Sequence, residues 1–316
     1  MIVPKLKSAP VPAGSAIAVI APASSAKFER LDAGISALRS LGYNAIESRQ
    51  LRGHVYHYFS GSVEERLRDF HAAFADPAIA AIICSRGGYG SNYLLESLDL
   101  ELIRKNPKPL FAYSDLSVVQ TWLLDRIGLV SFHGPMVAAD FYRDDGVHHP
   151  SFNAAIGGGM ASLDAAEGLR TLRPGSVTGT LYGGCLSMIV SSLGTPFAAE
   201  TEGKLLFLED VNVKPYQVDR MLRQMILAGK LERVKGIIFG EMKDCGMPNG
   251  EPGQLEEVLL RVLERFDGPI GFGLRSGHVS RSIVTLPFGI EARLDLRDIN
   301  DGSGASLEFL EPAVGN

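Results

Sequence analysis

"PLFAYSDLSVVQTWLL", residues 109–124, runs apolar to Tyr113, breaks at Ser114–Asp115 and then resumes with the spacing of an amphipathic helix. The first five residues read as a short buried strand, and the rest as a helix that begins at the break. A strand that turns directly into a helix is half of a βα unit. Whether the chain repeats that unit decides the fold.

It repeats it throughout the first half. "AIAVIAPA" (16–23), "NAIES" (44–48), "AIAAIICS" (78–85) and "LVSF" (129–132) are further short apolar runs. Between them, Leu31, Ile35, Leu38 and Leu41 recur at helical spacing before a stop at Gly42. Ser62 and Glu65 make a capping-box pattern ahead of Leu67, Phe70 and Phe74. "SNYLLESL" (91–98) and "LSVVQTWLLDRIG" (116–128) also read as helices. Strands separated by helices predict a parallel sheet covered on both faces. With 316 residues, too many for one ordinary core, a second domain is expected.

The first domain is assigned to residues 1–150. The polar, Gly-rich stretch around "RDDGVHHPSFNAAIGGGMASLDAAEG" makes 151–178 a linker region. Residues 179–316 form the second domain, with strand signals in "GTLYGGC", "KLLFLED", "GIIFGE" and "PIGFG". Helices are expected over "YQVDRMLRQMILAGK" and "LEEVLLRVLERF", and the end, "IVTLPFGIEARLDL" and "SLEFLE", is rich in strand patterns. That is an α+β domain with a β-rich end.

Composition excludes several functions. The chain carries a net charge of −5 with no cluster of Lys and Arg, which argues against a nucleic-acid partner. Cys84, Cys185 and Cys245 are odd in number and far apart, so they form no disulfide framework and fit a reducing compartment. "MIVPKLKSAPVPAG" has no long apolar core, and no run approaches the ~18 apolar residues of a membrane span. A cytoplasmic protein with no membrane partner is expected.

In an open parallel sheet, ligands bind outside the carboxyl ends of the strands. Four loops leave such ends: Pro22–Ser24, Arg86–Gly90, Ser114–Asp115 and His133–Pro135. "SRGGYGS" (85–91) could bring backbone N–H groups to a phosphate or an oxyanion, or could simply make a tight turn. It lacks the spacing of a dinucleotide fingerprint and the Lys of a P-loop. Ser114 is a helix cap or a nucleophile at a strand-to-helix corner, without the G-x-S-x-G elbow pattern. As nucleophile it would need a base and an orienting carboxylate. His133 and His278 end or follow strands and are the candidate bases. Glu209 and Asp210 end the apolar strand "KLLFLED", where a carboxylate would need a partner. No H-E-x-x-H or paired C-x-x-C points to a metal, and Cys84 and Cys185 read as small core residues.

Seven motifs occur in order: "SRGGYGSNYLL", "FAYSDLSVVQ", "SFHGPM", "GTLYGGCLSMIVSSLGTPF", "LLFLEDVNVKPYQVDRMLRQM", "GIIFGE" and "GFGLRSGHVSRSIVTLPFGIEARLD". Together, from about Ala16 to Leu296, they resemble the LD-carboxypeptidase family of serine peptidases. That family includes murein tetrapeptide carboxypeptidases and microcin C immunity peptidases. The resemblance implies a flavodoxin-like N-terminal domain, a β-rich swivelling C-terminal domain and a homodimer. It implies a catalytic triad of Ser114, Glu209 and His278, with the N–H groups of Gly88 and Asp115 as oxyanion donors. No metal or organic cofactor is implied. A carboxypeptidase must also bind a free carboxylate, for which Arg86 and Arg275 are the candidates beside the site. Cys185, Tyr93 and Val213 stand where the family pattern differs, which bears on substrate preference. The implied activity is cleavage of an L,D amide bond, with terminal D-Ala released from a muropeptide tetrapeptide. A peptidase acting on a peptide–nucleotide antibiotic and a non-enzymatic small-molecule binder are the alternatives.

Overall fold

The computed structural model describes residues 3–247, 253–297 and 304–315. The first half alternates as expected: β1 (Ala16–Ile20), α1 (Phe28–Ser40), β2 (Asn44–Glu47), α2 (Val63–Ala75), β3 (Ile79–Cys84), α3 (Leu100–Lys105), β4 (Leu110–Ala112), α4 (Ser117–Ile127) and β5 (Ser131–His133). These five strands are parallel to one another, in the order β5-β4-β3-β1-β2. Both faces are apolar because helices cover both. Phe111 on β4 faces Phe132 on β5 across the register, and their rings stack at 4.6 Å. Each is fully buried, a contribution of about 1.5–3 kcal/mol apiece.

Local signals explain the helix starts. Ser62 accepts from the Glu65 N–H while Glu65 accepts from the Ser62 N–H, so the capping box at α2 is formed. "SNYLLES" (91–97) differs from the helix expected there, being a 3₁₀ turn. Asp99 then caps a separate short helix by accepting from the Leu102 N–H, which leaves too few residues for a longer one.

The remaining elements are α5 (His149–Gly157), β6 (Ser162–Asp164), β7 (Arg170–Arg173), β8 (Gly175–Cys185), α6 (Leu186–Ser191), β9 (Lys204–Glu209), α7 (Pro215–Leu227), β10 (Gly236–Gly240), α8 (Gln254–Val262), β11 (Ile270–Leu274), β12 (Leu286–Phe288), β13 (Glu291–Leu296) and β14 (Ala305–Phe309). Eight of the strands make a second, mixed sheet in the order β6-β14-β13-β8-β9-β10-β11-β7. The stretch 151–178, expected to be a linker, therefore holds most of α5 and both edge strands of this sheet. Those strands are three and four residues long and half exposed, too short and polar to show an apolar period.

Strands β8, β9, β10 and β11 run parallel, so the carboxyl ends of this sheet, like those of the first, are where a ligand would bind. Their carboxyl ends are Cys185, Glu209, Gly240 and Leu274. The two sheets are locked together at this edge. β12 crosses back to pair antiparallel with β5, Leu286 opposite His133. Ser117, at the start of α4, accepts from the Cys185 N–H at 3.0 Å, and the missing Cβ of Gly184 is what admits that serine. The segment after β4 is thereby held against the ends of β8 and β9.

Candidate active site

Ser114 follows β4 with φ of +65°, a left-handed conformation that costs a non-glycine residue on the order of 1–3 kcal/mol. A capping serine would have extended backbone and would accept a bond from the helix behind it. Ser114 does neither: neither the 3₁₀ turn Ser114–Leu116 nor α4 has a side-chain cap, and the Ser114 hydroxyl makes no hydrogen bond among the described residues. The serine is thus not a helix cap. The strained backbone lifts the side chain out of the capping position.

Neighbouring loops fix that corner. The side chain of Ser114 packs on Gly87, where a Cβ would lie 2.8 Å from its Cβ, 2.9 Å from its Oγ and 3.3 Å from the Asp115 nitrogen. Gly88 has φ of +106° and lies against Ser24, whose hydroxyl accepts from the Tyr89 N–H at 3.1 Å. Asp115 is buried, and its carboxylate accepts from the Ser91 N–H at 2.8 Å while its carbonyl accepts from the Ser91 hydroxyl at 2.7 Å. Arg66, also buried, donates to the carbonyls of Pro22 and Gly90 at 2.6 and 2.8 Å. Three of the four sequence-predicted loops therefore share one braced edge. The resemblance names Gly88 as an oxyanion donor; that Gly87 is the glycine on which the serine packs carries no signal in the sequence, since spacing alone cannot show that contact. Gly87→Ala is expected to lower kcat roughly a hundredfold by pushing Ser114 aside, the size of effect a ~1 Å misplacement produces. Steady-state kinetics with circular dichroism as a folding control measure it.

Glu209 ends β9 and is fully buried. Its Oε2 accepts from the backbone N–H of His278 at 2.9 Å and lies 2.8 Å from the His278 Nδ1. Gly277, with φ of +84°, allows this approach: a Cβ there would sit 2.4 Å from the Glu209 carboxyl carbon. Gly240 does the same on the other side, with a Cβ 2.7 Å from that of Glu209. Burial raises the Glu209 carboxyl, but the His278 charge, its two hydrogen bonds and His133 outweigh burial and hold it below the ordinary carboxylate value. Burial likewise lowers His278, yet the Glu209 charge and hydrogen bond, with Asp210 and Asp140, bring it above the ordinary histidine value. A carboxylate on Nδ1 assigns the proton to that nitrogen and leaves Nε2 as the basic lone pair.

His278 lies beside the serine corner. Its ring meets that of Tyr113, the residue before Ser114, edge to face at 5.2 Å. No hydrogen bond joins Ser114 to His278 among the described residues. His133, the other candidate base, is fully buried on the far side of the carboxylate, with Nε2 4.0 Å from Glu209 Oε1 and Nδ1 2.9 Å from the Ser276 hydroxyl. Burial lowers it to about 4, so it is a neutral buffer around Glu209 rather than a solvent-facing base. Asp210 is taken up by the N–H groups of Ser187 and Val211, at 2.8 and 2.9 Å. Asp140 carries no functional signal in the sequence. It accepts from the Met136 N–H at 2.9 Å and the Tyr113 hydroxyl at 3.3 Å, and burial pushes it up to about 7.

Of the two arginines, Arg86 is exposed on the loop that carries Gly87, with one bond of 3.4 Å to the Ser25 carbonyl. Arg275 donates to the Ala166 carbonyl at 2.8 Å, bracing the segment before β7. Cys84 and Cys185 are buried, and burial pushes both thiols up, away from the thiolate a cysteine nucleophile needs. Among the described residues no group of three or more His, Cys, Asp or Glu is placed to hold a metal ion. No helix there is long and apolar enough to cross a membrane.

Comparison with known proteins gives the arrangement a context. Two family models match, one described as the LD-carboxypeptidase N-terminal domain over residues 17–134 and one as the C-terminal domain over 178–294. A probable murein peptide carboxypeptidase of Bacillus subtilis is 36% identical, over 89% of each chain. A murein tetrapeptide carboxypeptidase of Pseudomonas aeruginosa is 31% identical over 90% of this chain and 94% of its own. A solved muramoyltetrapeptide carboxypeptidase from Oxalobacter formigenes superimposes with a TM-score of 0.81 at 30% identity, over 93% of this chain and 98% of that one.

Proposed function

The chain belongs to the LD-carboxypeptidase family, and from that premise we propose that it removes the terminal D-Ala from a muropeptide tetrapeptide by a serine acyl-enzyme route. One observation carries the reading: an uncapped serine, held at φ of +65° on a sheet edge, beside a half-buried histidine paired with a buried glutamate.

In this reading Ser114 Oγ attacks the scissile carbonyl and His278 Nε2 takes its proton. Glu209 keeps the Nδ1 proton in place and stabilises the imidazolium. The N–H groups of Gly88 and Asp115 receive the oxyanion, each worth roughly 3 kcal/mol of barrier. His278 then returns the proton to the departing D-Ala amine, and water, deprotonated by His278, frees the acyl group. Arg86 is the proposed ligand of the substrate's terminal carboxylate, while the bond of Arg275 to Ala166 favours a bracing role for that residue. Hydrogen bonding alone does not yet pair Ser114 with His278. The relay requires rotation of one of these side chains, or closure of the two halves on substrate, to bring them together.

We further place the enzyme in the cytoplasm as a homodimer that serves murein recycling, a setting its three free, buried cysteines suit. Fractionation and sedimentation check those two statements. The activity is tested by incubating purified protein with N-acetylmuramoyl tetrapeptide and measuring free D-Ala. Release is expected from the D-Ala-terminated peptide, with none from its L-Ala epimer. Equal turnover of both, or of neither, would refute the assignment.

A further inference from the structure

Beside the serine corner the molecule exposes a cluster of aromatic rings that the proposed chemistry does not use. Tyr58 is 57% exposed, Tyr93 52% and Tyr89 39%, an unusual concentration of large rings left in solvent. They are ordered by Phe59 beneath them. Phe59 lies 4.5 Å from Tyr58, 5.8 Å from Tyr89 in a stacked arrangement and 5.7 Å from Tyr93, centroid to centroid. Tyr89 is in turn 5.6 Å from Tyr58 and 6.2 Å from Tyr93.

Phe59 is fixed from below. The buried Arg66 guanidinium lies 4.9 Å from its ring centre, and Gly90, lacking a Cβ, lets the ring edge approach its backbone. A tight turn, Tyr56 and Phe59 exchanging backbone hydrogen bonds at 3.1 and 2.9 Å, carries Tyr58 at its tip. The rings are therefore preorganised, and a ligand that stacks on them pays little ordering cost.

We propose that Tyr58, Tyr89 and Tyr93, seated on Phe59, form a carbohydrate subsite that stacks on the pyranose ring of a muramoyl group while its peptide reaches Ser114. This deepens the reading above and rests on it. Tyrosine offers a flat apolar face to the C–H face of a pyranose and a hydroxyl to the sugar's own hydroxyls. Position supports the same occupant. Tyr89 directly follows Gly88 and stands two positions after the Gly87 that packs on Ser114. In a muramoyl tetrapeptide three residues remain between the sugar and the bond that frees the last one, an extended span of roughly 10 Å at about 3.3–3.6 Å per residue. Two consecutive Cα steps, from Gly87 to Tyr89, cover at most about 7.6 Å, and the Tyr58 ring lies 5.6 Å from that of Tyr89. The root of the platform at Tyr89 is thus nearer to the glycine under the serine than the length of that span.

The test compares kcat/KM for N-acetylmuramoyl tetrapeptide and the free tetrapeptide. Wild type is expected to favour the sugar-linked substrate about tenfold, chiefly through KM. The Tyr58→Ala/Tyr93→Ala double variant is expected to bring that ratio close to one, and Tyr58→Phe/Tyr93→Phe to retain most of it. Equal kcat/KM in wild type, or a preference that survives the alanines, overturns the subsite. If neither peptide is cleaved, the catalytic reading fails separately, and the subsite is then judged by saturation-transfer NMR with N-acetylmuramic acid. Transfer lost in the alanine variant supports it, and no transfer to wild type refutes it. A dimer that dissociates on the alanine substitutions would make the patch an interface between copies and overturn the proposal as well.

Discussion

Ser114→Ala is expected to lower kcat for D-Ala release by roughly 10⁴- to 10⁶-fold, up to about 8 kcal/mol of barrier, with little change in melting temperature. Alanine keeps a Cβ, so the variant retains both the contact on Gly87 and the cost of φ at +65°. It removes only a hydroxyl that has no protein partner among the described residues. Ser114→Gly separates strain from chemistry. It is expected to be equally inactive but more stable than Ser114→Ala, because glycine adopts a positive φ at no steric cost. A quenched assay for D-Ala and a thermal melt of all three proteins suffice. Activity of the alanine variant within tenfold of wild type would remove the serine from the mechanism, and a glycine variant less stable than the alanine one would contradict the strain argument.

The βα alternation was legible because its strands are fully buried and its helices amphipathic, so burial writes itself into the period of the sequence. Glu209 was legible for a related reason: a carboxylate closing the apolar run "KLLFLE" needs a partner, and that partner is His278. What the sequence could not show is local contact across the fold. Nothing in "SRGGYGS" says that Gly87 rather than Gly88 meets the serine, and nothing in "RSGH" says that Gly277 exists to admit a glutamate from another strand. The edge strands β6 and β7 look like linker in the sequence because a three- or four-residue strand half in water has no period to detect. His133 shows the converse limit. Its place at a strand end was foreseen, while its full burial behind Glu209, on the wrong side for a solvent-facing base, depends on the crossing of β12 from far along the chain.

Glu209→Gln is expected to cost roughly 10³- to 10⁴-fold in kcat while the fold survives. The amide is nearly isosteric. Its oxygen can still accept from the His278 N–H groups, and its NH₂ then faces His133 Nε2, an acceptor without a protein partner among the described residues. What is lost is the negative charge that stabilises the imidazolium. The pH profile carries the sharper test. As the proposed base, His278 must be neutral to work, so kcat/KM in the wild type is expected to fall as pH drops through a His278 value that lies above the ordinary one. Without the carboxylate the charge that raises His278 is gone and burial remains, so the acid limb must move to lower pH. Stability responds in its own window. The raised His278 contributes below its unfolded value and loses that contribution as pH rises through the folded one; the lowered Glu209 contributes above its unfolded value and loses it as pH falls through the folded one. The melting-temperature gap between wild type and Glu209→Gln is therefore expected to be widest in mildly acidic solution, where both partners are charged, and to narrow toward either side. A variant whose acid limb stays in place, with kcat within tenfold of wild type, would mean that the buried glutamate holds a loop and takes no part in proton transfer.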